Sequence, residues 1–322
     1  MMSKFRSILS SALERISKGF VVIGVGKIPG VKRAYGLLNE LIWLWPSKSI
    51  IEIQGSKMYV NVHDKNLSMR RTFRAYALAR VHEESTTELF KKVVKEGDVV
   101  VDLGANLGYF TLLAAKLVGR RGKVYAFEPE PTNYNYLLKN IELNGYDNVL
   151  AIPKAASDKS GKVKLYICPY DSGHHTINQY GGIKAYKPDF AGDRKDFVEI
   201  ETVTLDEFFK GTKQPISVIK MDVEGAEMLA LSGMDRVVKE SENLKMFVEF
   251  FPLLIKEMGG SPEEFIRKLL EDYHFSVFVI EHDYSMRGYA PTEGYRKINS
   301  VDELMNLCKG HMDHVNLFLE RK

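Results

Sequence analysis

The stretch GDVVVDLGANLGYFTLLAAKLVGRRGKVYAFEPE, residues 97–130, decides the fold. An apolar run over 99–103 has the length of a buried strand, a helical pattern follows over 109–118, and a second strand pattern covers 123–127. The same alternation of strands and helices continues through the rest of the chain. This alternation predicts an α/β protein with a doubly wound, mostly parallel sheet that is covered by helices on both faces.

Two glycines and two acids in this stretch indicate a nucleoside site. Gly104 and Gly108 follow the first strand, where the lack of a side chain lets a ligand approach the backbone. Glu128 ends the second strand, where a carboxylate can accept hydrogen bonds from both hydroxyls of a ribose. Asn106 replaces the middle glycine of a dinucleotide motif, and Asp102 would repel a pyrophosphate. The pattern therefore favours S-adenosylmethionine, which carries an ammonium and a sulfonium, over NAD.

Five motifs within residues 66–252 resemble those of the FkbM-type methyltransferases: D-L-G-A-N-L-G-Y-F-T, F-E-P-x-P, N-I-x-L-N-G, I-K-M-D-V-E-G-A-E and V-E-F. The resemblance implies a class I, Rossmann-like methyltransferase fold with a mostly parallel, seven-stranded sheet. It also implies S-adenosylmethionine as the cofactor. We expect this methyltransferase domain to cover residues 81–322, after an extension of amphipathic helices and a β-hairpin over residues 1–80.

The resemblance implies eight cofactor-binding residues: Glu84, Thr87, Asp102, Gly104, Asn106, Gly108, Glu128 and Asp158. The first motif would surround the methionine end of the cofactor, and Glu128 would hold the ribose. Asp158 would accept a hydrogen bond from the adenine amino group, or it belongs to an ordinary turn. Glu84 and Thr87 would close the pocket from the N-terminal side, or they mark the start of a helix.

Acids at the ends of the fourth and fifth strands are the catalytic candidates. Transfer of a methyl group to a hydroxyl needs a well-placed acceptor and a base for its proton. Asp222 and Glu224 lie at the tip of the fourth strand, and Glu249 ends the fifth, where the ligand crevice of such a sheet lies. In an extended strand, Lys220 would project to the same side as Asp222 and Glu224. The alternative is that Glu224 and Glu227 both lie in the first turn of a helix, which we favour for Glu227 alone.

A loop with two histidines supplies a further catalytic candidate. His174, in D-S-G-H-H-T, could be the base or a metal ligand, and the alternative is an exposed loop histidine. His174 and His175 point in opposite directions if the chain is extended, which argues against one metal bound by both. We predict no metal site, although a divalent ion at the acids stays an alternative.

The expected reaction is O-methylation of a hydroxyl on a sugar or glycan, on a lipid-linked molecule or on another small molecule. A tRNA methyltransferase is one alternative, because N-I-E-L-N-G and the first motif also resemble tRNA-modifying enzymes. Enzymes that methylate base nitrogens usually carry N-P-P-Y or D-P-P-Y where this chain has M-D-V-E-G. A nucleoside-binding oxidoreductase or a non-catalytic binding module would also account for a nucleoside site.

Charge is distributed unevenly along the chain of 322 residues. The net charge is +3, but residues 1–48 hold eight basic and two acidic residues, a net of +6, so the rest sums to −3. An acidic body argues against a nucleic-acid partner. The arm over 1–48 could rest on an anionic membrane, or its apolar face could pack on the enzyme or on a second subunit. Because Cys168 and Cys308 are the only cysteines in the sequence, we expect no disulfide framework and a cytoplasmic protein. Peripheral contact with a membrane through residues 1–48 is the alternative.

Overall fold

The computed structural model divides the chain into two compact units, Met1–His82 and Glu83–Lys322. It describes residues 43, 49–178, 196–212, 214–280, 283, 294–309 and 314–321. Within these ranges, every helix is too short or too polar to span a lipid bilayer. The domain boundary expected near residue 80 stays a prediction.

The first unit contains the predicted β-hairpin. Strands β1 (Ile50–Ile53) and β2 (Ser56–Tyr59) pair antiparallel, and helix α1 (Leu67–Ala79) follows them. The inward-facing residues of both strands alternate with exposed ones, as the sequence pattern indicates. The predicted helices of the arm over 1–48 lie outside the described residues, which include Trp43 from that segment.

The second unit alternates strands and helices. Its strands within the described residues are β3 (Val99–Leu103), β4 (Lys123–Phe127), β5 (Val149–Ile152), β6 (Lys154–Ala156), β7 (Gly161–Tyr166), β8 (Phe197–Val203), β9 (Val218–Met221), β10 (Lys245–Phe250), β11 (Phe275–Ile280), β12 (Tyr295–Ile298) and β13 (Val315–Arg321). Its helices are α2 (Glu84–Val93), α3 (Tyr109–Val118), α4 (Pro131–Asn144), α5 (Leu205–Phe208), α6 (Glu227–Ser232), α7 (Asp235–Glu240), α8 (Pro252–Glu257), α9 (Pro262–Arg267) and α10 (Val301–Leu307), with a π-helical turn over Lys268–Asp272.

Eight of the described strands form the main sheet, in the order β12-β11-β13-β10-β9-β3-β4-β5. Strands β5, β4, β3, β9 and β10 are parallel, and β13 and β12 each run antiparallel to their neighbours. The predicted class I, doubly wound α/β fold is confirmed, but the count of seven strands is wrong by one. The extra strand, β12, is a short edge strand in which Ile298 is buried and its neighbours are not, so its sequence carries little strand signal.

Helices cover both faces of this sheet. In β4, Ala126 packs on Leu137 of α4, whereas its neighbour Tyr125 contacts Phe208 of α5 with ring centroids 6.0 Å apart. Successive residues of a strand point to opposite faces, so α4 and α5 lie on opposite sides. The order of strands reverses between β3 and β9, and the crevice of a doubly wound sheet opens at such a reversal.

A second, three-stranded sheet carries the loop with the two histidines. Strand β6 pairs parallel with β8, and β7 pairs antiparallel with β8. The segment over 167–178 follows β7, and it contains the D-S-G-H-H-T sequence. This small sheet therefore determines where the loop leaves the body of the protein.

Candidate active site

Three predicted catalytic acids meet at the carboxyl ends of β9 and β10. Val248 pairs with Met221 in the parallel register of these strands. The next residues, Glu249 and Asp222, therefore lie side by side at the edge of the sheet. One carboxylate oxygen from each of Asp222, Glu224 and Glu249 lies within 4.8 Å of the other two. Burial and the charges of Asp222 and Glu224 raise the pKa of Glu249 well above its ordinary value.

Glu224 lies in a turn and not in a helix. The chain at Glu224 and Gly225 is left-handed, with φ of 53° and 98°, and α6 begins only at Glu227. The hypothesis that Glu224 belongs to the first turn of a helix is therefore wrong, whereas Glu227 does begin the helix. The turn also takes Glu224 out of the line that Lys220 and Asp222 follow along the extended chain. A left-handed non-glycine residue costs roughly 1 to 2 kcal/mol, so its contacts must hold it there.

His174 is paired with Glu224. The imidazole Nδ1 lies 2.7 Å from Glu224 Oε1. Burial lowers the pKa of His174, but the charge and the hydrogen bond of Glu224 outweigh it and raise the pKa to about 9. His174 is therefore protonated near neutral pH and donates to Glu224. His175 points elsewhere, because its Nδ1 accepts the Cys168 N–H at 3.0 Å, so the prediction that the two histidines separate is confirmed.

The segment over 167–178 is attached to the site at several points. Asn133 of α4 donates its side-chain amide to the Ser172 carbonyl at 2.9 Å. The Thr176 hydroxyl donates to the backbone carbonyl of Glu224 at 3.1 Å. The Asn178 side chain donates to the last residue of α8 at 2.5 Å. Together with the His174 pair, these bonds place the loop against the tip of β9.

A buried lysine lies among the acids. Lys220 is 1% exposed, and its Nζ donates to Asp222 Oδ2 at 3.2 Å and lies 3.7 Å from Glu83 Oε2. The ammonium is also 5.1 Å from the centroid of the Phe110 ring. Burial lowers the pKa of Lys220, but the charges of Asp222 and Glu83 outweigh it and raise the pKa. Lys220 therefore stays charged inside the protein.

The glutamate that reaches the buried lysine is Glu83, which the sequence did not single out. Glu83 is buried beside Lys220, whereas Glu84 is exposed as the first residue of α2. The structure shows the helix start that was the alternative for Glu84, and the contact of Glu84 with the cofactor stays a prediction. Two adjacent glutamates carry no signal in the sequence that tells which one turns inward. Thr87 is buried, and its hydroxyl lies 3.1 Å from the Tyr109 hydroxyl.

The first glycine of the motif lets two strand tips meet. Gly104 has φ of 82°, and a Cβ there would lie 1.8 Å from the backbone oxygen of Asp222. Asp102, at the end of β3, accepts a hydrogen bond from the Thr111 hydroxyl at 2.5 Å. Burial raises the pKa of Asp102 to about 6. The close approach of Gly104 to the Asp222 backbone thus requires glycine at this position, in addition to any requirement from a ligand.

Glu128 holds the glycine turn in place. Its two oxygens accept the backbone N–H groups of Asn106 at 2.7 Å and of Glu130 at 2.9 Å. Burial raises the pKa of Glu128 to about 8. A Cβ on Gly108 would lie 2.7 Å from a Leu137 methyl carbon, so this glycine serves the packing of α4. A carboxylate has about four acceptor positions, so Glu128 can still accept hydrogen bonds from ribose hydroxyls.

Three buried acceptors suit the hydrogen-bond donors of S-adenosylmethionine. Within the described residues, Asn106 Oδ1, Asn133 Oδ1 and Glu227 Oε2 are buried without a hydrogen-bond partner. Such groups normally find a partner, because a buried acceptor that lacks one costs free energy. The ammonium, the ribose hydroxyls and the adenine amine of the cofactor are all donors. The hydrogen-bond donors of S-adenosylmethionine therefore match these buried acceptors.

Asp158, the predicted adenine contact, lies in a turn. It is exposed in the turn between β6 and β7, where its Oδ1 accepts the Ser157 hydroxyl at 3.1 Å. The Ser157 carbonyl packs closely on Gly233, at the end of α6. The structure shows the turn that was the alternative for Asp158, and its contact with adenine stays a prediction.

Three carboxylates at this spacing also have the chemistry to hold a divalent cation, whose protein ligands are oxygens. The cluster consists of Asp222, Glu224 and Glu249. The ammonium of Lys220 and the imidazolium of His174 already bring two positive charges to it. These two ion pairs offset part of the negative charge of the cluster.

Known proteins resemble this chain over the region of the site. A family described as "Methyltransferase FkbM domain" matches residues 102–277, more than half of the chain. Methyltransferase sdnD of Sordaria araneosa is 31% identical over 198 residues, which cover 55% of this chain and 73% of that protein.

Two further similarities are more limited. The tRNA(Phe) (4-demethylwyosine(37)-C(7)) aminocarboxypropyltransferase of Methanocaldococcus jannaschii is 47% identical over 60 residues, 19% of this chain and 24% of that enzyme. The crystal structure of Methyltransferase FkbM from Methylobacillus flagellatus aligns with a TM-score of 0.40 at 14% identity, covering 80% of this chain and 55% of that one.

Proposed function

Because the chain belongs to the FkbM family of methyltransferases, we propose that it methylates a hydroxyl of a sugar or glycan, of a lipid-linked molecule or of another small molecule. S-adenosylmethionine is the methyl donor. The observation that carries the proposal is the group of acids at the ends of β9 and β10, next to the glycine turn. A hydroxyl must lose its proton during methylation, and these acids are placed to take it.

The glycine turn and its neighbours would hold the donor. Glu128 would bind the ribose hydroxyls, while it keeps the N–H of Asn106 in place. Asn106 Oδ1, buried without a partner among the described residues, would accept a hydrogen bond from the donor molecule. When bound, S-adenosylmethionine supplies an electrophilic methyl group on a positively charged sulfur. Asp222, whose backbone touches Gly104, would face that charge.

Glu249 would act as the base, since it lies beside Asp222 at the ends of β10 and β9. Burial and the charges of Asp222 and Glu224 raise its pKa, and a raised pKa makes a carboxylate a stronger base. Asp222 would orient the acceptor hydroxyl, since it lies beside Glu249 and is only partly buried. His174 is protonated near neutral pH, so it would not act as the base, contrary to one interpretation of its loop. Its charge would instead oppose the effect of burial, which raises the pKa of Glu224.

Cofactor binding is tested by thermal denaturation. We expect S-adenosylhomocysteine to raise the melting temperature and NAD to leave it unchanged, because the glycine turn lacks the dinucleotide pattern. Stabilisation by NAD alone would instead favour an oxidoreductase and contradict the proposal.

The acceptor class is tested with S-adenosylmethionine labelled in its methyl group. We expect label to enter a glycan or a glycolipid, and we expect hydrolysis in mild base to leave it attached, as an ether would be. Transfer RNA is the comparison acceptor, because the short match with a tRNA-modifying enzyme favours it as a second candidate. Label in transfer RNA and in neither glycan nor glycolipid would contradict the proposed acceptor.

A further inference from the structure

Lys220 connects two parts of the site that are far apart in the sequence. Its ammonium reaches Asp222 at the tip of β9 and Glu83 at the start of α2, at 3.2 and 3.7 Å. A fully buried ammonium is stable only where nearby anions replace the water that it has lost. The lysine and its two partners therefore depend on one another.

Charged groups face Lys220 from several elements. Asp102 is its partner in the register of β3 and β9. Glu249 on β10 adds a further negative charge, and Phe110 of α3 presents its ring to the ammonium at 5.1 Å. Four carboxylates thus surround one ammonium: Glu83, Asp102, Asp222 and Glu249. Lys220 removes only part of their negative charge.

We propose that Lys220 is a positioning residue, which fixes Asp222 and Glu83 at the edge of the sheet and sets the net charge that these acids present to the methyl donor. The inference rests on the proposed function, because it takes the donor to lie beside Asp222. S-adenosylmethionine carries a positive sulfonium, and its product S-adenosylhomocysteine carries a neutral thioether. An acidic site therefore binds the donor more tightly than the product, and Lys220 limits that preference.

The experiment compares the affinities of the two molecules by isothermal titration calorimetry, which needs no acceptor. Lys220→Met removes the positive charge with little change of shape. We expect the ratio of the Kd of S-adenosylhomocysteine to that of S-adenosylmethionine to rise about tenfold, because one charge at this range shifts binding by that order. Lys245→Met is the matched control. Lys245 lies at the opposite end of β10, paired with Val218, and the ratio should not change.

Glu83→Gln supplies the opposite change in charge. It removes one anion and keeps the shape, so we expect the ratio to fall about threefold. A loss of packing would weaken the binding of both molecules alike. A change of charge would instead raise the ratio of the two Kd values in Lys220→Met and lower it in Glu83→Gln. This variant also serves as the test if Lys220→Met does not fold.

Two results would overturn the proposal. One is an equal loss of affinity for both molecules in Lys220→Met, which would make the lysine a purely structural residue. The other is an unchanged ratio in Glu83→Gln. If the unmodified protein binds neither molecule, the proposed function fails instead, and that result is distinct from both.

Discussion

Asp222 occupies a position where one side chain can affect both the donor and the acceptor. Its carboxylate accepts a hydrogen bond from Lys220, and its backbone carbonyl touches Gly104. The side chain is partly exposed, unlike its neighbour Glu249, so it is accessible to an incoming hydroxyl. At the scale of single residues, turnover should therefore depend on Asp222 through the position of the acceptor.

Replacement of Asp222 by alanine should separate binding from turnover. We expect Asp222→Ala to keep its stabilisation by S-adenosylhomocysteine, because Glu128 and the glycine turn are unchanged, and to lose at least about 100-fold in rate. Thermal denaturation and transfer of labelled methyl groups measure the two effects. Asp147→Ala, in the exposed turn before β5, is the control. Full activity of Asp222→Ala would remove this residue from the catalytic group.

The pair of His174 and Glu224 should make stability depend on pH. The pKa of His174 is raised from 6.5 to about 9 in the folded protein, so its contribution is complete below pH 6.5 and is lost as pH rises through 9. After allowance for its partial exposure, we expect the pair to stabilise the fold by about 1 to 2 kcal/mol. Urea unfolding of the protein and of His174→Gln should show a difference at pH 6 that shrinks by pH 9.5. A difference that does not change with pH would contradict the ion pair.

At the scale of elements, the glycine turn joins strands β3 and β9 directly. The Cβ of any larger residue at Gly104 would lie 1.8 Å from a backbone oxygen of Asp222, and backbone cannot move aside as the end of a flexible side chain can. Substitution here must therefore push apart the two strand tips that carry the site.

Gly104→Ala should destabilise the protein by roughly 3 kcal/mol or more, because the clash adds to the cost of a left-handed alanine. Gly145→Ala is the matched control. Gly145 has φ of 64° with open space around it, so we expect a cost of about 1 kcal/mol. Denaturant unfolding measures both free energies. Equal costs for the two variants would show that the contact between the strands contributes nothing.

The helices and strands that could be predicted are those whose own residues form a clear local sequence pattern. The strands and helix of residues 97–130 follow from apolar runs and turn glycines, and the hairpin follows from alternation. Strand β12 was missed because its residues are mostly exposed at an edge. The turn at Glu224 was also missed, since its left-handed backbone accepts a hydrogen bond from Thr176, a residue from a distant loop.

For the whole molecule, the sheet topology explains which parts of the site could be predicted. The carboxyl ends of parallel strands share one edge, so the meeting of Asp222 and Glu249 followed from the alternation of strands and helices. Glu83 could not be found in this way. It reaches Lys220 from the start of a helix, and nothing in the local pattern separates it from Glu84.

The uneven charge leads to a prediction about the whole chain. We expect the full chain to bind vesicles of anionic lipid at low salt, through the net charge of +6 on residues 1–48, and to detach as salt rises. A chain that lacks residues 1–48 retains a net charge of −3 and is the control in liposome flotation. Equal binding of the two forms would rule out a membrane role for this segment.

The attachment of the segment over 167–178 has a consequence for protein engineering. Two of its bonds, from His174 and Thr176, end on Glu224, a member of the acid cluster. Any redesign that moves this loop to admit a different acceptor therefore also changes the electrostatics of the reaction. Libraries for a new acceptor range should keep both residues fixed and vary the positions between the anchors at Ser172 and Asn178, so that shape can change while charge is retained.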